Sequence, residues 1–187
     1  TTLALPSIAH AQVKSEGRKV GFVYPGAKEQ MPERLEIIRA GVRASGYALQ
    51  PADIVSTVID GKTDQLAPAI ADVLAQKVAV YIAGGPVALR TAHKLSSSVP
   101  IVAYDFETDP VAGKFAQSIA RPGGNVTGVF LDLPSFAGKW IELLRECMPG
   151  IARVGLIWDP GTGRLQADAL IKAAGPLGLK TDLIEVH

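Results

Sequence analysis

The sequence predicts an α/β protein built on a doubly wound parallel sheet, and three observations predict it. From Arg18 onward, short runs of β-branched and aromatic residues alternate with longer stretches of helical period, the rhythm of successive β-α-β units. One run, Val78-Ala79-Val80-Tyr81-Ile82, is apolar at every position, as a strand covered on both faces requires. Turn signals close the runs, among them Pro25-Gly26, Gly84-Gly85-Pro86 and Pro149-Gly150.

The first strand is expected over Lys19–Tyr24. Pro32 then suits the opening turn of a helix that turns Leu35, Ile38, Ala40 and Val42 inward and ends on a Gly46 cap. A second strand follows over Asp53–Ile59, and a second helix over Asp64–Gln76 through Leu66, Ile70, Val73 and Leu74. After the Val78–Ile82 strand, Ala83-Gly84-Gly85-Pro86 makes a turn and Pro86 opens a helix carrying Val87, Leu89, Ala92 and Leu95. Pro100–Tyr104 is a fourth strand that runs into the acidic segment Asp105–Pro110. Arg121-Pro122-Gly123-Gly124-Asn125 is the densest turn signal, and Val126–Leu131 is a short fifth strand. Read this way, four helix-strand alternations precede residue 131 and make one complete lobe.

Ser135–Met148 has helical period with Phe136, Trp140, Leu143, Leu144 and Cys147 on one side. The β-α-β rhythm then restarts with a strand over Arg153–Trp158, a loop over Asp159–Gly163, a helix over Leu165–Ala174 and a strand over Leu179–Val186. The ~37 residues after Gly150 fall short of a second lobe, which takes on the order of 100. The expected organisation is an α/β lobe over 18–131, a crossover helix and hinge over 132–150, and the start of an unfinished second lobe over 151–187. Such a lobe exposes a sheet edge and an apolar face, so self-association or impaired ligand binding is expected.

Composition narrows the function classes. The 187 residues are 48% hydrophobic and 20% charged, enough apolar material for a sizeable core. Nineteen Lys and Arg face eighteen Asp and Glu, a formal charge of +1, which points away from nucleic acid and other polyanions. The single cysteine, Cys147, excludes an internal disulfide framework and a cysteine-rich metal site; at the end of an amphipathic stretch it reads as a buried structural thiol. No apolar run approaches the roughly twenty residues of a membrane span. Residues 1–12 differ from the rest: a short apolar stretch leads to Ala9-His10-Ala11 before Gln12. That pattern fits the end of an export signal with cleavage near Gln12, against the alternative of an alanine-rich disordered terminus. Export would place the protein in the periplasm or elsewhere outside the cytoplasm.

Catalytic constellations are thin. His10, His93 and His187 lie too far apart in the predicted elements to build a Ser-His-acid or metal cluster. Tyr24-Pro25-Gly26 stands where a phosphate-binding glycine loop would follow the first strand. No cofactor and no enzymatic activity are expected.

The residues resemble one family, the ABC-transporter substrate-binding proteins of the TrpX-like group, which have the type I periplasmic binding protein fold. The matching pieces include Arg18-Lys19-Val20-Gly21-Phe22, Ala83-Gly84-Gly85-Pro86-Val87-Ala88-Leu89, Asp109-Pro110-Val111, Ala137-Gly138-Lys139 and Trp158-Asp159-Pro160. Ala120-Arg121-Pro122-Gly123-Gly124-Asn125-Val126-Thr127-Gly128 is the most specific of them. The resemblance implies a two-lobed, non-enzymatic receptor that captures a small molecule between its lobes and presents it to an ABC permease in the membrane. The alternative is a ligand-sensing α/β domain of a regulatory protein; a LacI-type regulator would need a DNA-binding helix-turn-helix before Arg18, which the Ala/Leu segment cannot supply.

Ligands of open α/β sheets sit beyond the carboxyl ends of the strands, so the loops after Tyr24, Ile82, Tyr104 and Trp158 are the candidates. Gly84, Gly85 and Pro86 make either a plain tight turn or, with the helix behind them, a donor site for a carboxylate. Relatives often carry a hydroxyl residue where Gly85 stands, so one side-chain donor is absent here. Asp105, Glu107 and Asp109 alternate and would share one side of an extended segment, with Phe106 and Thr108 on the other. They form a solvated acidic loop, or they face a ligand ammonium, or they hold a hard cation such as Ca²⁺. Tyr24, Tyr104, Phe106 and Trp158 supply aromatic surface beside these loops, Tyr81 is expected in the core, and Asp159 follows Trp158 into the cleft. The expected ligand is a small amino-acid-like molecule, its anionic end at Gly84-Gly85-Pro86 and its cationic end at Asp105 or Glu107.

Overall fold

The computed structural model describes residues 19–159 and 164–186. The export-signal expectation for 1–12, Pro160–Gly163 of the second-unit loop, and His187 lie outside the described residues. The strand β1 (Val20–Tyr24) is buried at all five positions and sits inside a parallel sheet with β2 (Ile54–Val58), β3 (Val80–Gly84), β4 (Ile101–Asp105) and β5 (Val126–Phe130). The order is β2-β1-β3-β4-β5. Chain order reverses between β1 and β3, so the topological switch point lies there, at the carboxyl ends Tyr24 and Gly84. The apolar run forms an interior strand as expected, but the ladder starts two residues later than its first valine. Ala79 N–H already donates to Lys19 C=O at 2.8 Å, ahead of the strand, and pairing continues to Gly84 against Tyr104.

Helices α1 (Met31–Ala44), α2 (Leu66–Ala75) and α3 (Gly85–Leu95) cross over between the first four strands. Side chains alternate across the sheet. Val23, Tyr81, Ala83, Ile101 and Ala103 point to α2 and α3, where Leu66, Ile70, Val73, Ala88, Leu89 and Ala92 complete a buried cluster. Phe22 and Tyr24 point the other way, toward α1, and their rings stack at 6.2 Å. Here an expectation fails. No residue of α1 is buried: Leu35, Ile38 and Val42 are half-covered, Ala40 is exposed and Ile37 is 56% exposed. One helix about 10 Å across cannot cover five strands spaced about 4.8 Å apart. Val102, Tyr104 and Val129 on the same face stay exposed as well. Leu95, at the end of α3, is also exposed rather than inward.

Three helices, not four, lie before residue 131, because a loop without a helix joins β4 to β5. That loop is tied down by its own residues. Phe115 is buried and meets His93 edge-on at 5.3 Å, while the Asn125 amide donates to Ser96 C=O at 3.0 Å and Val99 C=O at 2.8 Å. The Arg121–Asn125 turn thus fastens the α3–β4 connection, a structural task for the most specific motif.

The chain leaves β5 through a 3₁₀ turn over Leu133–Phe136 into α4 (Ala137–Cys147). Ala137 and Ile141 are its buried residues; Phe136, Leu143 and Cys147 are exposed, against expectation. Phe136 belongs to the 3₁₀ turn, where it stacks on Trp140 at 6.4 Å, and the helical stripe counted from Ala137 passes through Ile141 and Leu144. Cys147 sits in the last turn beyond that contact. Next come β6 (Arg153–Trp158), α5 (Leu165–Ala174) and β7 (Lys180–Glu185), with β6 and β7 paired in parallel. Ile141, Ala174 and Leu179 cover one face of this pair. On the other, the register partners Ile157 and Ile184 are 76% and 48% exposed beside an Arg153–Asp182 ion pair of 2.8 Å.

Candidate ligand-binding site

Tyr24 ends β1, Gly84 ends β3 and Tyr104 lies one residue before the end of β4, so parallel pairing brings the three to one edge of the sheet. A cavity of ≈ 280 Å³ opens there, and it is lined by Tyr24, Gly84, Gly85, Pro86, Phe106 and Glu107 of the expected site, with Tyr104, Pro25, Leu66, Val87 and Ala88. Most of this lining is apolar, which suits the carbon body of an organic ligand. The second sheet contributes a neighbouring cavity of ≈ 460 Å³, lined by Trp158 and Asp159 together with Gln166, Ala167 and Val186. Glu107 lines both cavities. It is therefore the side chain at which the strand ends of the two sheets meet.

Gly84 and Gly85 are required by geometry. A Cβ on Gly84 would sit 2.2 Å from the Tyr104 hydroxyl, and Gly85 has φ +79°, a backbone state that favours glycine. No side chain caps α3, and Pro86 lacks an N–H, so the Gly85 and Val87 N–H groups are the donors this helix end presents at the cavity. Gly84→Ala is expected to push the Tyr104 ring out of place and to weaken ligand binding about ten-fold or more by calorimetry. The unliganded melting temperature should move far less, because Tyr104 can swing toward solvent.

The acidic segment is arranged differently from the alternating pattern. Asp105 closes β4 fully buried, and its Oδ1 accepts the N–H groups of Glu107 at 2.9 Å and Thr108 at 3.2 Å. Strand alternation stops at this turn, so Thr108 is buried and Phe106 exposed. Asp109 is also exposed; its Oδ1 accepts from Val111 and Ala112 N–H, starting the turn before Pro110. Asp105 lines neither cavity; its Oδ1 shapes the loop, and its Oδ2 is buried without a hydrogen-bond partner. Among the described residues no group of three His, Cys, Asp or Glu could hold a metal ion, so the Ca²⁺ alternative finds no set of ligands there. Of the three carboxylates of this segment Glu107 is the one that lines the cavities, with Oε2 buried and without a hydrogen-bond partner. Burial, then Asp105, raise its pKa above the ordinary glutamate value, while Arg90 opposes the shift.

Sequence reading missed two charged neighbours, Arg90, which acts on Glu107, and Arg34. Arg34, in the first turn of α1, lies with its guanidinium carbon 5.5 Å from the Tyr24 ring centroid. Hydrogen bonding to Tyr24 is the main cause of a pKa above the usual arginine value. The Tyr24 hydroxyl in turn donates to Gln30 Oε1. Burial raises the Tyr104 pKa, and Arg34 pulls it back. The signal available in the sequence for Arg34 was place alone: α1 starts just after β1, so its first turn stands over the switch point.

The sequence profile of the ABC transporter substrate binding proteins matches residues 19–187. The chain belongs to that family. A tyrosine-binding protein from Clostridioides difficile is 28% identical over 99 residues, covering 51% of this chain and 27% of that protein. Among solved structures, an ABC domain from Streptococcus pneumoniae in complex with L-Trp superposes with a TM-score of 0.68 at 19% identity, over 90% of this chain and 57% of that one. A leucine binding protein from Thermotoga maritima gives 0.60 at 14% identity, over 91% and 49%. The chain thus spans about half the length of these structural relatives, and at such identities they share its fold, that of type I periplasmic binding proteins. Among the described residues no helix is long and apolar enough to cross a membrane.

Proposed function

We propose that this chain is the ligand-capturing part of an extracytoplasmic ABC importer receptor, that it binds a small amino acid in the cleft between its two α/β units, and that it delivers it to a membrane permease without transforming it. The observation that carries this reading is Glu107, a carboxylate with a buried, unpartnered oxygen between an apolar aromatic cavity and the carboxyl end of a second sheet. An ammonium satisfies that oxygen, and the apolar lining takes a hydrophobic side chain. A tyrosine-binding relative and a fold neighbour holding L-Trp make an aromatic amino acid the first candidate. The two sheets support a division into a lobe over 18–131, a crossover over 132–150 and a second α/β unit from 151.

A thermal-shift panel of amino acids, dicarboxylates and sugars tests the reading. Amino acids should raise the melting temperature, since a ligand at a hundred times its dissociation constant stabilises by about 2.7 kcal/mol. A response confined to dicarboxylates or sugars refutes it.

The exposed Ile157–Ile184 pair also supports self-association of the 187-residue polypeptide through the open face of β6 and β7. Light scattering behind size exclusion should show a mass above 19.6 kDa that returns to the monomer value in Ile157→Asp. A monomer at all concentrations contradicts this.

A further inference from the structure

We infer that Arg34 is the side chain that recognises the carboxylate of the ligand, an inference that rests on the amino-acid reading above and adds to it the partner of the opposite charge. Arg34 makes no ion pair among the described residues, in contrast to Arg39, Arg43, Arg153 and Arg164, each paired with a carboxylate. Its Nε is buried and without a hydrogen-bond partner. The guanidinium instead lies over the face of Tyr24, a wall of the ≈ 280 Å³ cavity. Beyond its interaction with Tyr24 the guanidinium has Nε unpartnered, and its planar fork matches a carboxylate through two parallel hydrogen bonds.

The cavity needs such a group. Its glycine turn carries no hydroxyl side chain, α3 has no side-chain cap, and Pro86 removes one of its leading donors. The remaining backbone N–H groups supply direction and a partial charge only. Arg34 does not itself line the cavity but lies against its wall residue Tyr24, while Glu107 belongs to the lining, so the site has a cation and a carboxylate within reach, the pair of charges a zwitterion matches.

Calorimetry of L-tyrosine and L-tyrosinamide on the wild-type protein, Arg34→Gln and Arg34→Lys tests this. The amide keeps the ammonium and the ring and lacks the carboxylate charge. Wild type should prefer the acid by about ten-fold or more, the size of a charge-assisted hydrogen bond. Arg34→Gln should bring the ratio near one, chiefly by losing the acid, and Arg34→Lys should retain part of the preference. Equal losses for both ligands would make Arg34 a packing residue for Tyr24 and overturn the inference, as would an unchanged preference in Arg34→Gln or no preference in wild type. Failure of wild type to bind either ligand, or any other amino acid, removes the amino-acid reading itself and this inference with it. The unliganded melting temperature of each variant reports folding separately.

Discussion

Glu107→Gln is expected to weaken amino-acid binding by about ten-fold or more, because a neutral amide cannot balance the charge of an ammonium. Its effect on stability should have the opposite sign. Burial first and Asp105 second raise the Glu107 pKa in the folded protein above the value in the unfolded chain. Between those two values the native state holds more protons than the unfolded state, so stability falls as pH rises through that window. The ionised form is the one that strains the fold at neutral pH, and Glu107→Gln should leave the protein as stable as wild type or more so, with a flatter stability profile above the usual glutamate range. Ligand affinity should run the other way, dropping as pH falls through the native pKa and the carboxyl takes a proton. Calorimetry at several pH values, with urea denaturation alongside, reads both slopes. Parallel slopes would contradict the assignment.

Asp105→Ala is expected to cost about 2–3 kcal/mol of unfolding free energy. Removing the carboxyl leaves the Glu107 and Thr108 N–H groups without their acceptor in a buried turn and frees the segment that carries Phe106 and Glu107. Asp105→Asn keeps the Oδ1 acceptor and should lose much less. Binding should fall with stability in the alanine variant, since the loop that positions Glu107 is released. A variant that lost binding with unchanged stability would mean that Asp105 touches the ligand after all.

The strands were the most legible part of this protein. β1, β3 and β4 are written as compact apolar runs; β1 is buried at every position, whereas β3 and β4 are fully buried only on the face toward α2 and α3. Helix faces were less legible. In α1 the apolar residues follow a helical stripe, yet the sheet face beneath is wider than one helix, so that stripe stays half-covered. In α4 the phase was counted from Phe136, which the 3₁₀ turn removes from the helix; this also displaced the expected burial of Cys147. At the site, Tyr24, Gly84, Gly85, Pro86, Phe106, Glu107, Trp158 and Asp159 fall on the two cavities because all follow strand ends, a rule of topology readable without coordinates. Asp105 lines neither cavity because the strand extends one residue further than Tyr104, and its Oδ1 is taken up by the turn. Arg34 escaped the rule because nothing in a helical stripe marks which solvent-side residue leans over the neighbouring strand end.

The central claim is that one ligand lies between the strand ends of both sheets, and tryptophan fluorescence tests it directly. The chain has two tryptophans. Trp158 lines the ≈ 460 Å³ cavity beside Glu107, with the Arg164 guanidinium 4.9 Å from its ring, whereas Trp140 stacks on Phe136 in α4 and lines neither site cavity. Titration with L-phenylalanine, exciting tryptophan alone, should change the emission of wild type and of Trp140→Phe and leave Trp158→Phe silent, with calorimetry showing that Trp158→Phe still binds. A signal that survives in Trp158→Phe and disappears in Trp140→Phe, or binding by calorimetry without any change at Trp158, would place the ligand elsewhere and contradict the account.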